Sequence, residues 1–368
     1  MKFSNFSLCG LILWTKQATT CMSLSISNSN TVQTGSTSLT PAAAIPKAFI
    51  SSPIDSLSTF DYENNDKLPW VQDGYGTWKW RDNNINYLEM GDPSKPALLL
   101  IHGFGASSYH FRYNIPILAR DYHVFAFDLL GFGLSSKPIQ EYSASVWRDQ
   151  AADFITDIIG KPTTIAGNSL GGYTALYTAQ TDHVKSLVNG CILLNAAGRF
   201  KDPEAEEITT EIEKNEFVEG IKSFMQRLVI NVSFVVTKQP ARIAQVLKQV
   251  YPINADNVDD ELVESIRYPS LDPNAAEVFY RVIVKNGAGP QQKYVDDLLN
   301  NLDCPLMLCW GEEDPWIRPQ TADKIQLLYP QCERVSINAG HCPHDEAPDD
   351  VNYAIDEFMK KHKIGAAM

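Results

Sequence analysis

No stretch of this 368-residue chain offers the ~18 consecutive apolar residues that a bilayer-spanning helix requires. No Cys-x-x-Cys pair occurs among its seven cysteines (Cys9, Cys21, Cys191, Cys304, Cys309, Cys332 and Cys342), which removes the usual spacing of a zinc site and of a disulfide framework. The cysteines of the body are therefore expected as buried free thiols. Clustered Lys and Arg are missing too, and a formal net charge of −13 argues against a sequence-independent grip on nucleic acid. Acidic residues are absent from the first fifty positions, which hold three Lys, many Ser and Thr, and a short apolar patch, "LCGLILW" (Leu8 to Trp14). An acid-free, hydroxyl-rich stretch of this kind reads as an organelle-targeting leader, bounded here at 1–55, with a plain disordered tail as the alternative. Beyond it the composition is that of a globular protein, 44% hydrophobic and 20% charged over the whole chain.

What is present alternates. Two short runs, Thr77 to Arg81 and Ile85 to Met90, flank an Asp-Asn-Asn turn and predict a hairpin. "ALLLIHGFG" then gives a continuous apolar run, too short for a helix and ending in glycine, the pattern of a strand buried on both faces of a parallel sheet. The same pattern recurs in "HVFAFDLLGFG", "TTIAGNS", "GCILLNAAG" and "CPLMLCWGEEDPW", with helical stretches such as "SASVWRDQAADFITDIIG" and "GGYTALYTAQ" between. Strand and helix in alternation predict an α/β fold, a mostly parallel sheet with crossover helices behind an antiparallel hairpin. From Ala197 to about Leu302 the strand pattern stops and helical segments follow one another, which predicts an inserted helical lid over the carboxyl ends of the strands. The expected division is 70–196 and 303–365 for the two halves of the core and 197–302 for the cap. Apolar residues Phe217, Ile221, Phe224, Met225 and Leu228 fall at helical spacing in the cap, a stripe more often core than pocket.

Gly167-Asn168-Ser169-Leu170-Gly171 fits G-x-S-x-G, and it lies between an expected buried strand and an expected helix. Such a turn strains the serine backbone and leaves no room for side chains two residues before or after, hence Gly167 and Gly171. A serine hydroxyl becomes a nucleophile only when a base takes its proton and a carboxylate orients that base. Downstream of Ser169 the histidines are His183, His341, His344 and His362. His341 in "INAGHCPHDEAP" follows a short strand, "RVSIN", and a glycine, and is the preferred base; His344 is its rival, while His183 and His362 read as surface residues. Asp314 in "LCWGEEDPW" stands in a loop directly after a buried strand and is the preferred acid, ahead of Glu312, Glu313 and Asp128, the last of which reads as an organiser of the "DLLGFG" turn. Backbone amides of Leu170 at the elbow and Phe104 in "HGFG" are the expected oxyanion donors. His102 reads as a loop-shaping residue rather than a base. No cofactor and no metal are called for.

Together "HGFG", "FDLLGFGLS", "GNSLGG", "GEEDPW" and "AGHCPHDEAP" resemble the α/β-hydrolase superfamily from about Trp78 to His362. Within it, "GEEDPWIRP", "AGHCPHDEAPDDVNY" and "IAQVLKQVY" are similar to the pheophytinase-like plastid hydrolases, which remove phytol from pheophytin or chlorophyll. The resemblance implies Ser169 as nucleophile, His341 as base and Asp314 as acid. It also implies a plastid location after leader cleavage and a lipophilic pigment ester as the small-molecule partner, reached peripherally if a membrane holds it. After "CILLNA" that group carries a Trp- and Phe-rich stretch, whereas this chain reads "AGRFKDPEAEE", polar and charged. The alternatives are a C–C bond hydrolase with the same triad and a non-catalytic receptor for a small lipophilic ligand. Haloalkane dehalogenases and epoxide hydrolases share the scaffold but need a carboxylate where Ser169 stands.

Overall fold

The computed structural model describes residues 50–51, 60–201, 226–227, 229–230, 233–285, 293–362 and 364. Among them nine strands form one sheet: β1 (Ile50–Ser51), β2 (Gly76–Trp80), β3 (Asn83–Met90), β4 (Ala97–Ile101), β5 (His123–Phe127), β6 (Thr163–Asn168), β7 (Val188–Leu194), β8 (Leu306–Gly311) and β9 (Glu333–Ile337). Their order is β1-β2-β3-β5-β4-β6-β7-β8-β9, antiparallel through β3 against β5 and parallel from β5 onward. Strands β4, β5, β6 and β8 are buried at every position, which is why their sequences show no alternation of polar and apolar residues; β4 and β8 are apolar throughout, apart from the closing Gly311. The order β5-β4-β6 reverses direction along the sheet, so a crevice opens at the carboxyl ends of β4 and β6. Ile50 and Ser51, from the stretch assigned to the leader, pair with Trp78 and Thr77; residues 1–49 lie outside the description.

The hairpin turn falls earlier and is shorter than expected. Asn83 already pairs with Trp80, and the reversal falls on Arg81 and Asp82, both at positive φ (45° and 65°), rather than on Asp-Asn-Asn. A two-residue turn of that hand matches the twist of the flanking strands.

Helices pack on both faces. On one side α1 (Ile115–Leu118) and α10 (Pro348–Lys361) bury Ile115, Val351, Ile355 and Phe358 against Leu98, Leu100, Val124 and Ile192. On the other, α2 (Ala144–Phe154) sets Phe154 edge-on to Trp78 (5.3 Å) and tilted over Phe127 (4.9 Å). Helix α3 (Leu170–Thr178) follows β6, and α8 (Gln320–Leu328) joins β8 to β9. The five body cysteines are buried free thiols.

Between β7 and β8 the described residues hold α4 (Pro240–Val250), α5 (Asp260–Arg267), α6 (Ala275–Tyr280) and α7 (Val295–Asn300). Most of the first helical stretch expected there, and with it Phe217, Ile221, Phe224, Met225 and Leu228, lies outside the described residues. Helices α4 and α5 build their own cluster of Ile243, Leu247, Val250, Tyr251, Leu262 and Val263, which includes Cys342 and is flanked by Trp316. That cluster therefore rests on the two loops carrying His341 and Asp314.

Candidate active site

Strand β6 ends at Asn168 and α3 begins at Leu170, so the chain reverses on a single residue. Ser169 takes φ 54° and ψ −115° there, backbone geometry that a residue with a side chain adopts only under constraint. The constraint is visible in its bonds. Its amide donates to Leu194 O (3.0 Å) and its carbonyl accepts from Tyr173 N (3.1 Å) and Ala197 N (2.9 Å), tying the turn to α3 and β7 together. A Cβ on Gly167 would strike the Gly171 carbonyl, and one on Gly171 the Ile101 carbonyl, so both glycines are steric necessities.

The loop after β4 runs alongside this turn. A Cβ on Gly103 would stand 3.2 Å from Ser169 Cβ and 2.9 Å from Asn168 Oδ1, so bare backbone faces the serine here. Ala106 N–H closes the loop onto Gly103 O (3.3 Å), with Gly105 at φ 73°. Phe104 lies in that turn and Leu170 opens α3, where the first amides have no partner inside the helix. His102 is fully buried: Nε2 accepts from Leu129 N–H (2.9 Å), leaving Nδ1–H to donate to Gly103 O (2.7 Å). Burial holds its pKa below the ordinary histidine value. Asp128 accepts from the amides of Ser108 and Leu134 (2.7 Å each) and from Asn86 Nδ2 (2.9 Å), so it pins the neighbouring loops.

At the next two strands the structure brings His341 and Asp314 together. His341 Nδ1 lies 2.7 Å from Asp314 Oδ2, with both side chains nearly or wholly buried. Asp314 Oδ2 also accepts from Asn195 Nδ2 (2.8 Å), while Oδ1 accepts from the amides of Trp316 (2.7 Å) and Ile317 (3.0 Å). The Trp316 ring tilts over the imidazole at 5.0 Å. Asn168, next to the serine, donates through Nδ2 to the carbonyls of His341 (2.9 Å) and Leu194 (3.1 Å), so the serine turn and the histidine loop are bonded to each other.

The rival candidates stand elsewhere. His344 is buried against Phe111 and His110 (ring centroids 4.5 and 5.7 Å), and among the described residues neither of its ring nitrogens has a hydrogen-bond partner. Burial drives its pKa well down. His183 is largely exposed near Asp153, and His362 pairs with Glu333 at the end of α10. Glu312 is occupied by Arg334 and Ser336, and Glu313 is exposed.

Three residues escaped the reading of the sequence. Asn168 and Asn195 join loops whose closeness only the sheet reveals. Glu346 is the third: buried, it accepts from the amides of Ile253 (2.7 Å), Asn254 (2.9 Å) and Gly340 (2.5 Å), clamping the histidine loop to the segment after α4. His341 N–H itself donates to Val250 O (3.1 Å). The polar stretch after "CILLNA" turns toward α7 over its described part, with Arg199 O accepting from Val295 N (2.8 Å) and Lys201 N donating to Asp296 Oδ2 (3.0 Å).

A model of the alpha/beta hydrolase fold family matches residues 96–348. The chloroplastic pheophytinase of Arabidopsis thaliana is 31% identical over 345 residues, covering 83% of this chain and 70% of that protein. A 2-hydroxy-6-oxo-6-(2'-aminophenyl)hexa-2,4-dienoic acid hydrolase of Metapseudomonas resinovorans is 28% identical over 283 residues, 75% of this chain and 87% of that one. Among solved structures, a membrane phospholipase A described as a bacterial virulence factor superposes with a TM-score of 0.59 at 26% identity, covering 78% of this chain and 86% of the other.

Proposed function

This chain belongs to the alpha/beta hydrolase fold family, and from that membership we propose that it is a serine carboxylic-ester hydrolase whose substrate is the phytyl ester of a chlorophyll pigment. The observation that carries the reading is the Asp314–His341 bond of 2.7 Å, in a loop bonded through Asn168 to the strained Ser169. In this reading Asp314 accepts the Nδ1 proton of His341, which leaves Nε2 as the base that removes the Ser169 proton. Ser169 Oγ adds to the ester carbonyl, and the amides of Phe104 and Leu170 take up the negative charge on its oxygen. Collapse expels the alcohol with the proton from His341 and leaves an acyl-serine. A water molecule, deprotonated by His341, then releases the acid and restores Ser169.

The substrate class draws on the relationship to pheophytinase and on an aromatic file leading from the oxyanion loop into the segment between β7 and β8. Phe104 packs at 5.3 Å on Phe132 and at 5.5 Å on Phe279 of α6, which in turn meets Phe234 at 5.3 Å. A prenyl alcohol needs an apolar wall of this kind. We read the helices between β7 and β8 as a lid over it, and the residues ahead of β1 as a leader that directs the chain to a plastid.

The test gives purified protein pheophytin a, chlorophyll a, a p-nitrophenyl ester and a ring-fission diketone, in parallel with Ser169→Ala. Release of phytol that falls by at least about 10³-fold in the variant is the expected result. Turnover of the diketone alone would establish the C–C hydrolase reading instead, which the Metapseudomonas relative favours. Absence of all turnover, with a lipophilic ligand raising the melting temperature, would make the protein a receptor.

A further inference from the structure

Asn195 follows the last residue of β7 in the left-handed region, at φ 44°, and is completely buried. Asparagine tolerates that region better than most residues, yet a buried non-glycine there persists only when its surroundings hold it. What holds it is its own side chain. Oδ1 accepts from Gly311 N–H (2.8 Å) and Nδ2 donates to Gly311 O (3.2 Å), so the amide pairs with the end of β8 as a neighbouring strand would. The same Nδ2 donates to Asp314 Oδ2 at 2.8 Å, the oxygen that His341 Nδ1 meets at 2.7 Å.

Asp314 thus receives two backbone amides on Oδ1 and two side chains on Oδ2. A carboxylate offers about four acceptor directions, and the four donors account for them. Among the described residues bonded to this carboxylate, His341 and Asn195 are its only side-chain donors.

We infer that Asn195 is a positioning residue that holds the Asp314 carboxylate in the orientation His341 requires. The inference rests on the serine-hydrolase reading above. A charge-assisted bond to the Oδ2 lone pair fixes the direction in which that oxygen faces the imidazole. Without that bond only His341 itself holds Oδ2, the two amides on Oδ1 being the remaining restraint, and the imidazole's tautomer and direction are less firmly fixed. That loss of direction lowers the rate.

Two variants separate this from a purely structural role. Asn195→Ala removes the donor and keeps the backbone strain; Asn195→Gly removes the donor and relieves it. Both are expected to lower kcat by about tenfold or more, as slight misplacement of a reacting group does, with KM within about twofold of the parent. By NMR, the downfield Nδ1 proton of His341 exchanges with solvent about tenfold faster or more in both. An Asn195→Gly protein with the parent's kcat and proton exchange would overturn the inference, whatever its melting temperature. If the parent hydrolyses no ester while the His341 proton responds as described, the ester reading falls and the role of Asn195 stands.

Discussion

Asp314 concentrates the residue-scale chemistry, since both of its oxygens are fully engaged and one of them faces the imidazole. Asp314→Asn retains the shape but offers His341 an amide. The imidazole then loses the acceptor that fixes its tautomer, and kcat is expected to drop by about 10⁴-fold in a protein of unchanged circular dichroism. Ser169 and Asp314 could be picked out of the sequence because each sits directly after a buried strand, and His341 because it follows a short strand and a glycine; only one end of a parallel sheet can hold such loops together. Asn168 and Asn195 could not, since their roles lie in bonds to partners 173 and 119 residues away. An asparagine beside a strand end looks the same whether it bonds water or a buried carboxylate. His344 shows the converse: three residues from His341 and equally conspicuous in sequence, it faces the core aromatics on the far side of the loop.

At the scale of elements, Arg112 does what no hydrophobic contact does between the core and the segment after β7. Its buried guanidinium bonds Asp345 on α9 (Pro343–Glu346) at 2.8 Å, Asp259 at the start of α5 at 2.6 Å, and the Asn257 carbonyl. Asp345 also accepts from Tyr251 Oη (2.7 Å), and burial lifts its pKa to about 6 in spite of the arginine. Arg112→Ala leaves that carboxylate buried without its charge partner and is expected to cost about 3–5 kcal/mol, read from the midpoint of urea unfolding. Asp259→Ala removes an N-cap that accepts from Leu262 N (2.8 Å) as well as a partner of Arg112, so its loss should exceed the ~1 kcal/mol typical of a cap. The central strands β4 and β8 were legible as elements because burial on both faces writes a nearly continuous apolar run. The hairpin turn was displaced because Asn83 and Asn84 are turn residues by type but strand residues by register. Cross-element ties such as Arg112–Asp345, 233 residues apart, leave no local mark.

For the molecule as a whole, three buried histidines couple stability to pH. His102 and His344 are held below the ordinary histidine value by burial, and His110 is pushed down to about 3 by burial and then by Arg112. Each stays neutral in the native state but binds a proton near pH 6.5 once unfolded. The stability they confer is complete above pH 6.5 and is lost as pH falls below it, at up to about 1.4 kcal/mol per pH unit for each group. Asp345 acts in the opposite sense between about pH 4 and 6, where the native state holds its proton and the unfolded chain releases it. One such group cannot offset three, so the melting temperature should fall steadily from pH 7 to pH 5; a flat profile over that range would contradict the buried neutral state of the histidines. The clamp formed by Val250, Ile253 and Asn254 on the loop of Gly340, His341 and Glu346 also bears on protein engineering. Residues 197 and 302 look like natural splice points for exchanging the segment between β7 and β8 among relatives. A chimaera cut there would carry a foreign partner onto the native histidine loop. Keeping residues 240–267 with the host and exchanging only what lies beyond them preserves both that seam and the apolar cluster under the histidine loop, so the imidazole keeps its native surroundings.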